Sequence, residues 1–208
     1  MSALVFTLRN APAQRVDAGA LNPTALAGLS VADIAALTLQ IGKRTVRVDE
    51  VFSLEGDDTA DLVFRGDCGK FERIGAGMKS GRVTVEGHAG AYVGQGMLGG
   101  TIVIGGNAGA FCATGMKGGR IDIAGNVGES AGGAIPGEMK GMAGGLLLVG
   151  GHAGDRLGDR MRRGQILVSG NAGDYCGTRM IAGTIAVAGS LGAYPAYGMK
   201  RGTLILNA

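Results

Sequence analysis

The amino-acid sequence predicts an all-β protein, a parallel β-helix solenoid of about seven 19-residue coils that follows a small N-terminal α/β cap. Three observations predict this fold. Methionine recurs at a nearly constant interval of 19 residues, short apolar-x-apolar triplets recur with it, and glycine supplies 42 of the 208 residues. Self-similarity at a fixed period indicates stacked repeats, and period-two alternation inside each unit indicates short strands.

The methionines define the repeat. Their successive intervals are 19, 19, 26, 19, 19 and 19 residues, and they occupy Met78, Met97, Met116, Met142, Met161, Met180 and Met199. The unit with the long interval carries seven extra residues, roughly Gly133 to Met139. Because methionine is a flexible apolar side chain that fills irregular gaps, we expect this column to occupy the narrow interior of the solenoid.

The apolar triplets precede a G-x-x-G element in each unit. The apolar pairs are Leu62/Phe64, Val83/Val85, Ile102/Ile104, Ile121/Ile123, Leu147/Val149, Ile166/Val168 and Ile185/Val187, and Leu204/Leu206 closes the series. We expect each pair to point inward and the residue between its members to point outward. Several of these outward residues are large and apolar, which favours a protein interface. Leu148, Leu167 and Ile205 are therefore the candidate partner contacts.

One glycine-rich segment matches a nucleotide-binding motif. Gly94-Gln95-Gly96-Met97-Leu98-Gly99 has the G-x-G-x-x-G spacing, but that motif must open a helix. A strand-like run at Thr101–Ile104 follows instead, and the whole neighbourhood recurs 19 residues later. The glycines are therefore interpreted as turns between strands.

Two further columns accompany the turns. The second residue of G-x-x-G is polar in every unit, and the amides of Asn107 and Asn126 are expected to hydrogen-bond along the stack. Five positions before the methionine lies a broken aromatic column, which is expected to be interior. Its members are Tyr92, Phe111, Tyr175 and Tyr194.

The chain divides into a cap at residues 1–61 and a glycine-rich β-helix at residues 62–208. In the cap, Leu4–Leu8 predicts a strand, and Ser30 is the expected cap of a helix over Val31–Leu37, with Asp33 at its third position. Strands are expected at Thr45–Val48 and at 51–52, followed by a polar turn at 55–58. Solenoid ends expose strand edges, so we expect a partner to cover the C-terminal end.

The sequence contains no recognisable catalytic or metal-binding constellation. His88 and His152 share one column three coils apart, too far for a common metal ion. Cys112 and Cys176 are also three coils apart, ~14 Å at the usual strand spacing, so with Cys68 they are interpreted as buried free thiols. No segment has the length of a membrane span, and a cytoplasmic location is expected.

Basic residues cluster around the methionines. Residues 62–208 contain 15 basic and nine acidic residues. The candidate binding residues are Arg160, Arg162, Arg163, Arg179, Lys200 and Arg201. One edge of arginine and lysine would suit an extended polyanion, although it could equally serve only solubility. Nucleic acid is disfavoured, because aromatic residues are few and no binding motif is present.

Two repeat units carry a family resemblance. GNAGAFCATGMKGGRIDIAGNVG and GNAGDYCGTRMIAGTIAVAG, after a non-repeat segment of about 60 residues, resemble the C subunit of the formylmethanofuran dehydrogenase family. A similar pattern ends the large subunit of glutamate synthase, but there it is the tail of a much longer chain. The resemblance implies a non-catalytic scaffold whose partner subunits hold the chemistry.

The resemblance implies one of two assemblies. The first, favoured by the Ala/Gly/Arg-rich composition, is a bacterial formyltransferase/hydrolase complex of tetrahydromethanopterin- and methanofuran-linked one-carbon metabolism, from formaldehyde to formate. Its partners would be an amidohydrolase-like subunit and a formyltransferase subunit. The second is a molybdenum or tungsten formylmethanofuran dehydrogenase.

The same resemblance implies how a carrier would be handled. The chain would bind no cofactor itself, and the complex would handle a methanofuran-type carrier, whose glutamate-rich tail could lie on the basic edge. Two other classes stay open. A β-helix acyltransferase would repeat a hexapeptide with 18-residue coils, against the 19 found here, and a free-standing assembly module would fit the outward apolar residues equally well.

Overall fold

The structure, a computed structural model, describes residues 2–207, and β-strands dominate it. The strands are β1 (Ala3–Leu8), β2 (Val16–Asp17), β3 (Thr38–Ile41), β4 (Arg44–Arg47), β5 (Phe52–Glu55), β6 (Asp58–Arg65), β7 (Phe71–Glu72), β8 (Arg82–Val85), β9 (Thr101–Ile104), β10 (Arg120–Ile123), β11 (Ala143–Val149), β12 (Arg163–Val168), β13 (Thr184–Val187) and β14 (Thr203–Leu206). The helices of the described residues are α1 (Pro23–Leu26), α2 (Val31–Ala36) and α3 (Val48–Val51).

A ten-stranded sheet runs through the molecule, in the order β14-β13-β12-β11-β10-β9-β8-β6-β1-β5. From β6 to β14 every pair is parallel, and equivalent residues of successive repeats lie opposite each other, as Ile102 does with Ile121. Ile121 in turn pairs with Leu147, 26 residues later, so the seven extra residues lie outside the strands. The predicted stacking of repeats into a long parallel sheet is confirmed. Within residues 2–207 the sheet is open, with β14 and β5 as its edges.

Successive repeats meet at a second line of contact as well. One residue in each repeat forms an isolated parallel bridge to its counterpart in the next, through Cys68, Ala89, Ala108, Val127, Ala153, Ala172 and Leu191. Five of the seven residues in this column are buried alanine or valine, and such small side chains allow the backbones to approach closely. Each repeat is therefore held to its neighbour on two sides, in a β-solenoid-like stack.

The interior is filled as the repeat predicts. From Met78 to Met180 the methionine column has no solvent-exposed area, and the paired apolar residues of β8 to β13 are buried beside it. Met199, in the last repeat, is only partly buried. The difference follows from position, because no further repeat covers Met199 within the described residues.

The N-terminal segment continues the same sheet. Strand β1 pairs in parallel with β6 and antiparallel with β5, and the rings of Phe6 and Phe64 stack at a centroid distance of 4.9 Å. Helix α2 begins as predicted: the backbone N–H of Asp33 donates to Ser30 Oγ, and the backbone N–H of Ser30 donates to the Asp33 carboxylate, both at 3.2 Å. A reciprocal pair of this kind satisfies donors that a helix start leaves free.

Helix α3 interrupts two predicted strands. The expected strand over Thr45–Val48 is present as β4, which ends at Arg47, and the expected strand at 51–52 begins one residue later as β5. Helix α3 takes the residues between them. The backbone N–H of Arg47 donates to Glu50 Oε1 at 3.1 Å, which stabilises the first turn of this short helix. The predicted polar turn follows β5, with Gly56 at φ +89°.

The aromatic column lies at the surface, so the expectation of an interior position was wrong. Tyr92 and Phe111 are only partly buried and stack on each other at 5.2 Å, and Tyr194 is 63% exposed. These residues have positive φ at a corner of the repeat. The residue after each corner, such as Cys112 or Cys176, takes the interior place instead.

The G-x-G-x-x-G segment forms a turn and leads into β9. Between residues 91 and 104 the structure has no helix, so the nucleotide-binding motif is excluded by its own geometric requirement. Across residues 2–207, no helix has the length and apolar composition that crossing a membrane requires.

Candidate functional site

Two arginines occupy backbone positions that other repeats give to glycine. The residue before the methionine is Gly77, Gly96, Gly115 or Gly198 in four repeats, with φ between +64° and +67°. Arg160 and Arg179 hold the same place at φ +56° and +52°. A side chain in this left-handed region costs roughly 1–2 kcal/mol. Strain of this kind persists where the surrounding contacts hold the residue in place, and both arginine side chains make such contacts.

Arg179 is held by a buried carboxylate. Its Nε donates to Asp159 Oδ1 at 3.1 Å and its Nη2 donates to Asp159 Oδ2 at 3.0 Å. Asp159 is 7% exposed, whereas the Arg179 side chain is 46% exposed. Bidentate pairing fixes the plane of a guanidinium, so Arg179 presents its remaining donors in one orientation.

The seven-residue insertion lies against Arg160. Arg160 Nη1 donates to the carbonyl oxygen of Glu138 at 2.6 Å. Two backbone hydrogen bonds also connect this region to the next repeat. Ala134 N–H donates to the Asp159 carbonyl and Gly141 N–H donates to the Arg160 carbonyl, both at 3.1 Å. The insertion, which the sequence shows only as a break in the period, is thus attached to the arginine cluster.

Two adjoining cavities open beside this cluster. One, of about 320 Å³, is lined by Arg156, Tyr175, Thr178, Arg179 and Tyr197. The other, of about 200 Å³, lies between the insertion and Arg156, Asp159, Arg160 and Arg179. Arg156 and Arg179 border both cavities. Thr178 is buried, and its hydroxyl has no hydrogen-bond partner among the described residues.

The six basic residues predicted from the sequence do not gather in one place. Arg160 and Arg179 join the cluster just described. Arg163, Lys200 and Arg201 are exposed, Arg162 is partly buried with an unpartnered Nε, and none of these four lines either cavity. Sequence reasoning missed Asp159, Arg156 and Thr178 as members of the cluster. The sequence feature that could have indicated the cluster is the arginine that stands, in two repeats, where other repeats have glycine.

The three predicted interface residues lie on the outer face of the sheet. Leu148 pairs in register with Leu167, which is 39% exposed, and Ile205 on β14 is 52% exposed. A shallow groove of about 450 Å³ runs along this face past Val103, Leu148 and Leu167. The face is apolar and partly open, as the triplet pattern predicts.

Both histidines serve as hydrogen-bond acceptors in the polar column. His88 Nδ1 accepts from the backbone N–H of Asn107, and His152 Nδ1 accepts from that of Asn171, both at 2.9 Å. Asn107 Oδ1 accepts from the backbone N–H of Asn126 at 2.8 Å. The polar column is therefore hydrogen-bonded as predicted, but each side chain bonds to the backbone of the next repeat and not to its side chain. No group of three metal-ligating side chains occurs between residues 2 and 207.

The cysteines are free and buried. Burial raises the pKa of the Cys68 and Cys112 thiols to about 12 and that of Cys176 to about 11. The thiolate is the reactive form of cysteine, so these three thiols stay protonated and unreactive at neutral pH. The interpretation of the cysteines as buried free thiols is confirmed.

Fold and site together define a class: a β-solenoid-like repeat protein with an apolar outer face and an arginine cluster beside one inserted loop. No protein-family model matches the chain. The chain is similar to a chain in the crystal structure of the formyltransferase/hydrolase complex from Methylorubrum extorquens in complex with methylofuran. The two are 43% identical with a TM-score of 0.93, over 97% of this chain and 76% of that one.

Sequence relatives agree with the structural neighbour. The C subunit of the formyltransferase/hydrolase complex of Methylorubrum extorquens is 44% identical over 83 residues, 40% of this chain and 31% of that protein. The C subunit of the tungsten-containing formylmethanofuran dehydrogenase 2 of Methanococcus maripaludis is 31% identical over 95 residues, 45% of this chain and 35% of that protein. These alignments span about a third of each relative. The chain belongs to the family of formylmethanofuran dehydrogenase C subunits.

Proposed function

We propose that the chain is the C subunit of a formyltransferase/hydrolase complex that works with a methanofuran-type carrier in one-carbon metabolism, from formaldehyde to formate. The observation that carries this proposal is the similarity to one chain of a complex crystallised with methylofuran, which is 43% identical over 97% of this chain. The 44% identity to the C subunit of the same type of complex supports it.

Within that complex the proposed role is a non-catalytic scaffold. The proposed architecture is a parallel β-helix of about seven 19-residue coils at 62–208, with residues 1–61 as its cap. Chemistry of the side chains supports this role: the cysteines are buried and protonated, and both histidines accept backbone hydrogen bonds. A rigid stack with such groups already engaged suits the positioning of other subunits.

The proposed partners are an amidohydrolase-like subunit and a formyltransferase subunit. The outer face with Leu148, Leu167 and Ile205 is the proposed contact. Leu167 and Ile205 are exposed, Leu148 lies beside Leu167, and exposed apolar side chains favour burial against another protein. The open edge strand β14, whose Leu206 is 48% exposed, belongs to the same region. An uncovered edge strand offers unpaired backbone groups to a neighbour.

The basic residues are proposed to guide the carrier's polyanionic tail. Arg163, Lys200 and Arg201 are exposed and follow the methionine column, while Arg160 and Arg179 lie beside the insertion. Attraction of this kind is long-ranged and weakens with salt. Neutralising Arg163, Lys200 and Arg201 together should lower carrier retention by the complex and reduce its salt dependence.

A formylmethanofuran dehydrogenase is the second candidate assembly, favoured by the 31% identity to its C subunit from Methanococcus maripaludis. Affinity purification of the tagged chain from its native host, followed by mass spectrometry, separates the two. Co-purification with amidohydrolase-like and formyltransferase subunits, and with no molybdopterin or tungstopterin protein, is expected. Recovery of a pterin-dependent redox subunit would assign the dehydrogenase, and recovery of the chain alone would refute the scaffold role.

A further inference from the structure

The cavity beside Tyr175 is positively charged. Arg156 and Arg179 both line it, and no acidic side chain does. The one carboxylate close by, Asp159, is already paired with Arg179. Arg156 is exposed, and its guanidinium makes no hydrogen bond or ion pair within the described part of the chain. An anion entering this cavity would therefore meet two guanidinium groups.

Arg179 is oriented for such an anion in advance. A guanidinium has five N–H donors, of which Asp159 takes one on Nε and one on Nη2. Both donors on Nη1 and one on Nη2 remain. Because the carboxylate of Asp159 holds the group in place, less side-chain entropy is lost when a ligand binds.

Thr178 adds a polar group that lacks a partner. In an equivalent repeat position, Thr114 Oγ1 donates to the carbonyl of Gly133, 19 residues later, at 2.7 Å. The counterpart for Thr178 is the carbonyl of Tyr197, but that oxygen accepts from the backbone N–H of Arg179 at 2.8 Å, and the buried Thr178 hydroxyl is left unpaired. Buried polar groups are nearly always hydrogen-bonded, and this hydroxyl lies without a partner in a residue of the cavity wall.

Two tyrosines form the walls of the cavity. The rings of Tyr175 and Tyr197 lie edge to face at 6.3 Å, and Tyr175 stacks on Tyr194 at 5.2 Å. Tyr197 is 63% exposed. A volume of about 320 Å³ lies at the small end of the range for small-molecule pockets. A flat, partly apolar body can pack against the exposed ring of Tyr197.

We propose that this cavity is a discrete binding site for a small molecule that carries a carboxylate on a flat or aromatic body. The carboxylate binds Arg156 and Arg179, and the flat body lies against Tyr175 and Tyr197. A planar carboxylate matches the fork of a guanidinium. This site goes beyond the proposed function and does not depend on it.

Calorimetric titration of the full chain at constant ionic strength tests the site, with benzoate, acetate and inorganic phosphate as probes. Saturable one-to-one binding of benzoate is expected, at least tenfold tighter than acetate. Failure of benzoate to saturate would overturn the proposal. Phosphate binding tighter than benzoate would also overturn it, by assigning a simple inorganic anion site.

Variants make the test specific. The double variant Asp159→Thr/Arg179→Gly restores residues that the chain itself uses at Thr114 and Gly115, so it should fold while binding benzoate at least tenfold more weakly. Arg156→Gln should weaken benzoate severalfold at unchanged melting temperature, because this arginine lines the cavity and makes no side-chain hydrogen bond within the described residues. The matched control Arg82→Gln removes an exposed arginine outside the cavity and should change affinity less than twofold. Equal losses in Arg82→Gln and the double variant would reveal diffuse attraction and refute a discrete site.

The proposed binding site and the proposed function are tested by separate measurements. Carrier retention by the whole complex, compared between the wild-type chain and the variant neutralised at Arg163, Lys200 and Arg201, reports on the tail. Benzoate binding by the full chain reports on the cavity alone. Either can fail while the other holds.

Discussion

Asp159 and Arg179 join two neighbouring repeats through a pair of hydrogen bonds, 3.1 Å from Nε to Oδ1 and 3.0 Å from Nη2 to Oδ2. The carboxylate is nearly buried and the guanidinium half exposed. The pair connects successive repeats through side chains, and it holds Arg179 at the cavity. A change to one partner therefore affects both stability and the site.

Arg179→Gln should lower the free energy of unfolding. Removal of the guanidinium leaves a nearly buried carboxylate without its partner, which costs about 1–3 kcal/mol for a partly exposed pair. Urea denaturation of the wild type and the variant measures the loss. Arg163→Gln, which removes an exposed arginine without an ion pair in the described residues, should stay within about 0.5 kcal/mol. A similar loss in both variants would show that the Asp159 pairing contributes nothing.

Asn126→Ala should destabilise the polar column by about 0.5–1.5 kcal/mol, because the side chain accepts the backbone N–H of His152 at 2.7 Å. Asn126→His should cost less. His88 and His152 accept in the same column with Nδ1 at 2.9 Å, so the chain already uses both residues in this role. Thermal unfolding of the two variants compares them. If Asn126→His lowers the melting temperature as much as Asn126→Ala does, the role of this side chain as a hydrogen-bond acceptor is refuted.

Gly119→Ala should cost more than Gly115→Ala, although both glycines lie in one repeat. Both have positive φ, +89° and +64°, so each substitution costs roughly 1–2 kcal/mol in backbone conformation. A β-carbon at Gly119 would lie 2.6 Å from Met97 Cε and 2.8 Å from the Gly100 carbonyl. At Gly115 the nearest atom is 3.9 Å away. Crowding should add about 1–3 kcal/mol to the cost of Gly119→Ala. Urea denaturation of the two variants measures the difference. Equal losses of unfolding free energy would show that the repeats are loosely packed at Gly119.

Stability should fall as the pH rises above about 9. Burial raises the pKa of Cys112 from 9.0 to about 12, so between these values the unfolded chain has released the thiol proton and the folded chain has kept it. Fewer protons on the unfolded state make the free energy of unfolding decrease with pH, by up to about 1.4 kcal/mol per unit for one thiol. Cys112→Ala should flatten the dependence between pH 9 and 11. An unchanged slope in urea denaturation of that variant would contradict the assignment.

Leu167→Asp should abolish recovery of partner subunits without unfolding the chain. Leu167 is exposed on β12, so the charge costs little in the free chain but is expensive when buried at an interface. Affinity purification with quantitative mass spectrometry measures recovery. Leu98→Asp is the matched control, since Leu98 is a leucine that is 44% exposed in the loop before β9, outside the sheet face. Equal recovery for both variants would place the interface elsewhere.

Sequence periodicity determined the sheet. A 19-residue period with paired apolar residues leaves one register in which equivalent side chains stack, and Ile102 indeed lies opposite Ile121. The Ser30–Asp33 cap was also predictable, because it depends on residues three positions apart. Helix α3 was missed, because a single turn over Val48–Val51 is too short to show the periodicity of a helix.

The tertiary structure alone decided which way the corners face and what meets there. The direction of Tyr92 and Phe111 depends on a left-handed backbone that an aromatic residue does not signal, and so the column was placed inside when it lies outside. The contact between Asp159 and Arg179 joins residues 20 positions apart, one more than the period. A period identifies equivalent positions, whereas contacts between non-equivalent positions depend on how the corners turn in three dimensions.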